Sequence, residues 1–160
     1  MRVNSSEFHV NFHKFHPTVL HATRLLPIQS NQSKMSSTKP LVLHAHGTGP
    51  NPYKIAAALE FLNIPYEVKL WQFGDAKNGV KGPDFLKINE NGRVPAVEDP
   101  NTGVVSWESG AVMNYLLRVY DEQNKLGPKG DSEQDRVDFD KWTFFLLSSL
   151  GPMMGWCSLF

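Results

Sequence analysis

Asn51 stands in the turn Gly49-Pro50-Asn51-Pro52-Tyr53-Lys54, immediately ahead of an apolar stretch with helical spacing. Its side-chain NH2 can donate a hydrogen bond, and the start of a helix is where the dipole favours negative charge. The same field lowers cysteine pKa values at helix N-termini from about 8.5 towards neutrality, so a thiolate brought to this turn would be stabilised. The plainer alternative is that Asn51 only caps the helix.

Three further features carry comparable chemistry. In Gly92-Arg93-Val94-Pro95, a proline that opens a strand suggests an edge position or a cis bond. A cis bond would turn the Val94 N–H and C=O outward, ready to pair with an extended peptide. The alternative is an ordinary turn ahead of a strand. In Ser106-Trp107-Glu108-Ser109-Gly110, the free N–H groups of a helix start and the Ser109 hydroxyl make a site for a carboxylate, and Glu108 offers an acceptor for an amino group. Together they would grip both charges of an amino-acid zwitterion. Alternatively the segment is a helix start with a well-placed Glu. Lys81 and Arg93 are either cationic contacts for a second carboxylate or solvated surface charges.

The elements that would position these residues follow from periodicity. Leu41 to Ala45 is a short apolar strand, and Gly47 to Pro50 a turn. Asn51 is expected as the N-cap with Pro52 at the first helical position, and Ile55, Ala58, Leu59 and Leu62 continue the helix to about Asn63. Tyr66 to Leu70 alternates as a second strand, so the strand-helix-strand unit implies a parallel pair. After a polar loop from Gly74 to Gly82, Pro83 to Ile88 forms a short helix. Pro95 to Glu98 and Val104 to Ser106 form a hairpin around the Asp99-to-Gly103 turn, and Ser109 to Tyr120 a helix. The order β-α-β-α-β-β-α is an α/β, thioredoxin-like architecture.

This places a thioredoxin-like domain at 39–122, a linker at 123–130 and an α-helical unit at 131–160. In that last unit a helix starts near Ser132 and carries Val137, Trp142, Phe145 and Leu146. A lone helix cannot cover its own apolar face, so this unit is expected to be the first helix of a larger all-α domain. Trp142, Phe145, Met153 and Trp156 should then present exposed apolar surface.

Residues 1–38 are expected to be a disordered or misassigned extension, with Met35 as the alternative start. They are basic, with Glu7 as the one acidic residue, and the irregular spacing of His9, His13, His16 and His21 without a set of acidic or cysteine partners speaks against a metal tract. A mitochondrial targeting role is a further alternative, but the arginines are few. The 160 residues are 41% hydrophobic, and Lys+Arg 16 against Asp+Glu 16 gives no net charge to draw nucleic acid or a membrane surface. The single cysteine, Cys157, rules out an internal disulfide or a Cys-x-x-Cys pair and fits a reducing, cytoplasmic setting. It lies far in sequence from the thiol-facing turn and is expected to be inert.

The strings Pro50-Asn51-Pro52-Tyr53-Lys54-Ile55, Asn89-Glu90-Asn91-Gly92-Arg93-Val94-Pro95-Ala96-Val97, Trp107-Glu108-Ser109-Gly110-Ala111-Val112 and Leu150-Gly151-Pro152-Met153-Met154-Gly155 resemble glutathione transferases. The resemblance covers about residues 40–160. It is strongest to the fungal nitrogen-regulator-like and bacterial disulfide-bond-reductase-like groups. It implies glutathione as the cofactor, with Val94 pairing the cysteinyl backbone and Pro95 cis. Glu108 and Ser109 would hold the γ-glutamyl end, Asn51 would face the sulfur, Arg93 would line the groove, and Lys81 would approach the glycyl carboxylate. The bacterial enzymes carry a threonine two residues before the asparagine, whereas here that position is Gly49 and Thr48 is adjacent.

The implied activity is a glutathione-dependent transferase or thiol-disulfide oxidoreductase acting on a small electrophilic or disulfide substrate, with fungal secondary metabolism as one setting. The full-length protein would be a homodimer. The alternative is a non-catalytic glutathione-binding or regulatory protein of the same fold. Other readings are weaker. Gly47-Thr48-Gly49 lacks the third glycine of a dinucleotide loop, and Pro52 stands in its place. His44 and His46 lack further metal ligands. Tyr53, inside the helix start, is second to Asn51 as a thiol activator.

Overall fold

The computed structural model describes residues 38–157, and the side chains of Trp156 and Cys157 fall outside that description. The readings made on the four N-terminal histidines, on Met35, on Trp156 and on the Cys157 thiol therefore lie outside the described residues.

Strand β1, Leu41–Ala45, is the most buried strand because it lies between two others and is covered on both faces. It runs parallel to β2, Tyr66–Leu70, with Leu41 opposite Tyr66 and Ala45 opposite Leu70. Helix α1, Pro50–Phe61, makes the crossover between them. After the short helix α2, Pro83–Leu86, comes β3, Ala96–Asp99, antiparallel to β1. Strand β4, Val104–Trp107, completes a mixed sheet of order β2-β1-β3-β4, and α3, Ser109–Tyr120, returns across it. The fold is thioredoxin-like, as the element order predicts.

Alternation along β1 sorts the core into two layers. Leu41, Leu43 and Ala45 pack with Ile55 and Leu59 of α1, Val97 of β3, and Val112 and Leu116 of α3. Trp71, Val80, Phe85 and Ala96 form the second cluster, with His44 against the Trp71 and Phe85 rings. Truncating a fully buried leucine such as Leu59 to alanine costs about 2–5 kcal/mol at sites of this kind.

Two boundaries beside the cleft differ from the sequence expectation, and others shift by one or two residues. Gly49, not Asn51, is the N-cap of α1, with Pro50 at the first helical position. The Gly49 φ of +101° suits glycine alone, so the chain reverses there and Asn51 is already inside the first turn. Strand β3 begins at Ala96 instead of Pro95, since proline has no N–H to give to a ladder.

The β3–β4 turn is tied to α3 through Asp99. Its carboxylate accepts from Tyr115 and Tyr120, both at 2.6 Å, and from the backbone N–H of Asn101 at 2.8 Å. Burial pushes the Asp99 pKa up, but these hydrogen bonds outweigh it and hold the carboxyl below its ordinary value.

Past α3 the chain is anchored by Asp121, whose carboxylate accepts from the N–H groups of Lys125, Leu126 and Gly127. A capping box between Ser132 and Asp135 then starts α4, Glu133–Phe145. A π-helical segment, Leu146–Leu150, continues directly into α5, Gly151–Cys157. No residue of α4 or of the π segment is buried. Leu147 reaches back over the first turn of α3, where a Cβ added to Gly110 would lie 2.4 Å from its Cδ1.

Candidate functional site

A small cleft of about 90 Å³ opens where three chain reversals meet, lined by Asn51, Asn89, Arg93, Val94, Pro95, Glu108 and Ser109. Six of the seven residues singled out in the sequence therefore face one space. The seventh, Lys81, does not line it. Its Nζ donates to the Asn91 carbonyl at 2.7 Å, with its stem against Gly92. A glycine at position 92 is what permits this close approach.

Asn51 is exposed in the first turn of α1, and its Oδ1 accepts from Lys54 Nζ at 3.3 Å. Burial lowers the Lys54 pKa, opposed by the charge of Glu108 across the gap. The Val94–Pro95 peptide bond is cis. Both sheet registers of β3 begin at Ala96, so Val94 precedes the ladder.

At the head of α3, Glu108 has a φ of +67°, a left-handed conformation that costs a glutamate on the order of 1–3 kcal/mol. Backbone strain of this size persists where the surrounding structure holds it, commonly at ligand sites. Ser109 follows as the first helical residue and is buried, and the N–H groups of this first turn have no carbonyl partners within the helix.

Sequence reasoning missed Asn89. It is buried, donates through Nδ2 to the Arg93 carbonyl at 2.6 Å and accepts at Oδ1 from Asn91 N–H at 2.9 Å. Asn89 thereby folds the 89–93 loop that delivers Arg93 and Val94 to the cleft. The signal was the Asn89-Glu90-Asn91-Gly92 turn, since an asparagine readily accepts from the backbone two residues on.

The hydroxyls near Asn51 are turned elsewhere. Thr48 pairs with the His46 ring at 3.2 Å, and the Tyr53 hydroxyl donates to the Gly47 carbonyl at 3.3 Å. The two histidines also part company. His44 is fully buried with both ring nitrogens engaged, while His46 stacks on Phe73 at 3.6 Å. Among the described residues no three His, Cys, Asp or Glu side chains cluster as metal ligands would.

The sheet order, the cis proline ahead of β3 and a polar cleft at two helix N-termini define a thioredoxin-like domain. The glutathione S-transferase N-terminal domain model matches residues 39–118, and the chain belongs to that family. It is 38% identical over 122 residues to the glutathione S-transferase-like protein OpS6 of Beauveria bassiana, covering 76% of this chain and 53% of that protein. To the protein URE2 of Debaryomyces hansenii it is 33% identical over 135 residues, covering 79% and 43%. Among solved structures it is similar to the glutathione transferase URE2P6 of Phanerochaete chrysosporium in complex with oxidized glutathione. That match has a TM-score of 0.66 and 35% identity, covering 76% of this chain and 54% of that one. The chain spans about half the length of these relatives.

Proposed function

We propose that the cleft binds glutathione and that the chain is the glutathione-binding part of a glutathione-dependent transferase or thiol-disulfide oxidoreductase. The observation that carries this is the convergence of Asn51, Arg93, Val94, Pro95, Glu108 and Ser109 from separate segments onto one space. A volume near 90 Å³ fits one end of a tripeptide, with the remainder lying along the open side of the groove. Ser109 and the N-terminus of α3 take the γ-glutamyl carboxylate, and Glu108 takes its ammonium. Val94 offers its main chain to the cysteinyl segment. Asn51 and the start of α1 hold negative charge at the sulfur. Lys81 does not line the cleft, and its approach to the glycyl carboxylate would be made along the open side of the groove.

Glutathione supplies a thiol that, once ionised, reacts with an electrophilic carbon or with a disulfide. The relative bound to oxidized glutathione supports a site that accommodates the disulfide form.

A second reading, glutathione binding without turnover, draws on a specific observation. The hydroxyls of Thr48 and Tyr53 are directed at His46 and Gly47, leaving Asn51 as the group that faces a sulfur. One experiment addresses both readings. Glutathione is titrated calorimetrically into the chain and its Ser109→Ala and Asn51→Ala variants, and turnover is followed with a chlorodinitrobenzene-type electrophile and with hydroxyethyl disulfide. The enzyme reading expects Ser109→Ala to weaken binding and Asn51→Ala to lose most turnover while still binding. Binding with neither reaction selects the second reading, and the absence of saturable binding rejects both.

A further inference from the structure

Lys54 does not line the cleft, yet its ammonium holds the residue that faces the sulfur in the reading above. Nζ lies 3.3 Å from Asn51 Oδ1, across one turn of α1. An ammonium has donors and no acceptor, so the amide must turn its oxygen to Lys54 and leave its NH2 end for the cleft. An amide on an exposed side chain can otherwise present either end. An oxygen turned to a sulfur would repel a thiolate, whereas the NH2 end donates to it.

Charge acts in the same direction. Lys54 is half-buried, so its field on the cleft is less screened than that of a surface lysine. Two charged groups lie close by: Glu108 at the head of α3, which interacts with the Lys54 ammonium, and Arg93, which lines the cleft. Glu108 stabilises the ammonium, and the burial that lowers the Lys54 pKa is thereby partly offset.

We infer that Lys54 is a positioning residue, which fixes the Asn51 amide with its NH2 towards the bound thiol and adds positive charge that favours the thiolate. This rests on the proposal that Asn51 faces the sulfur of glutathione. On ionisation the thiol proton leaves to solvent, and Lys54 neither gives nor takes it. Its effect is on how readily the sulfur holds charge, and hardly on how tightly the protonated thiol form of glutathione binds.

The test is the ionisation of bound glutathione, read from the ultraviolet difference absorbance of the thiolate as pH is varied. The full chain is compared with Lys54→Met, which keeps the stem and removes the charge, and with Lys54→Arg, which keeps a donor and the charge. The wild-type chain is expected to ionise glutathione at a lower pH than free solution does. In Lys54→Met binding measured below the ionisation midpoint should change little, while the midpoint moves up by about one unit, a tenfold fall in the acid dissociation constant of the bound thiol. Lys54→Arg should restore most of it. If Lys54→Met unfolds, Lys54→Gln makes the same comparison. Superimposable titrations of wild type and the uncharged variant, with wild type binding and ionising glutathione, would overturn the role of Lys54 and leave the parent proposal intact. A wild-type chain that binds no glutathione overturns both.

Discussion

The Trp71 indole donates its Nε1–H to Nδ1 of His44 at 2.9 Å, and this one bond sets the state of a fully buried imidazole. Indole nitrogen is a donor only, so Nδ1 must be the bare nitrogen and the ring proton sits on Nε2, which donates to Glu98 Oε1 at 2.6 Å. The network ties β1 to β3 and to the loop after β2, directly behind the strand that follows Pro95. Trp71→Phe keeps an aromatic ring, though a smaller one, and removes the donor, leaving Nδ1 without a partner in the core. A stability loss of about 1–3 kcal/mol is expected in urea unfolding, the cost of an unsatisfied buried polar atom. An unchanged midpoint would show that the indole bond contributes nothing.

The same imidazole predicts a pH dependence. Burial lowers the His44 pKa from its ordinary 6.5, opposed by the Glu98 hydrogen bond and charge. The unfolded chain therefore takes up a proton near 6.5, before the folded one does, and stability rises with pH wherever the unfolded state binds more protons. Stability is complete above about 6.5 and is lost as pH falls from there through the depressed folded value. Melting temperatures across that window should fall for wild type more steeply than for His44→Gln, which cannot titrate. Parallel curves would mean that His44 is protonated alike in both states.

Much of this arrangement was legible in the sequence, and the exceptions have physical causes. Asn51, Val94, Pro95, Glu108 and Ser109 were found because each belongs to a local pattern, a proline turn or a helix start, whose geometry is decided within a few residues. The cap of α1 was misplaced by two residues because Asn51 is the better N-cap by preference, while the φ of +101° at Gly49 is imposed by how the loop leaves β1. Asn89 was missed as a member of the site because its role is to brace the Arg93 carbonyl, a bond visible only once the loop is closed. Lys81 does not line the cleft because a lysine's reach is set by what its stem lies against, here Gly92. The Trp71–His44 bond joins positions 27 residues apart, and no local pattern announces such a pair.

Glu108 separates stability from binding. At φ +67° a glycine is relieved of strain, so Glu108→Gly is expected to leave the fold as stable or to stabilise it by about 1 kcal/mol. The same change deletes a charge-assisted contact worth about 1.5–3 kcal/mol, which is tenfold or more in Kd for glutathione. Thermal melts and calorimetry on one variant read both effects. If affinity is retained, Glu108 does not hold the ligand's ammonium and its backbone conformation alone is what the site uses.

The helical unit after Asp121 predicts self-association. Trp142 and Phe145 pack edge to face at 5.9 Å on one side of α4, yet remain 66% and 49% exposed, and Phe144, Met153 and Met154 are more than half exposed as well. Exposed apolar side chains gathered in this number on one helical unit are rarely left in water by a monomeric soluble protein. The 160-residue chain is therefore expected to associate as its concentration rises, with sedimentation coefficients that increase accordingly. Trp142→Glu combined with Phe145→Glu puts two charges on that face, where no residue of α4 is buried, so the fold should be preserved while association is suppressed. The cleft shares none of these side chains, and the glutathione affinity proposed for it should be the same in the variant and the parent. A parent chain that sediments as a monomer at every concentration would mean that the unit covers this face itself, for example by folding α4 and α5 back upon each other in solution.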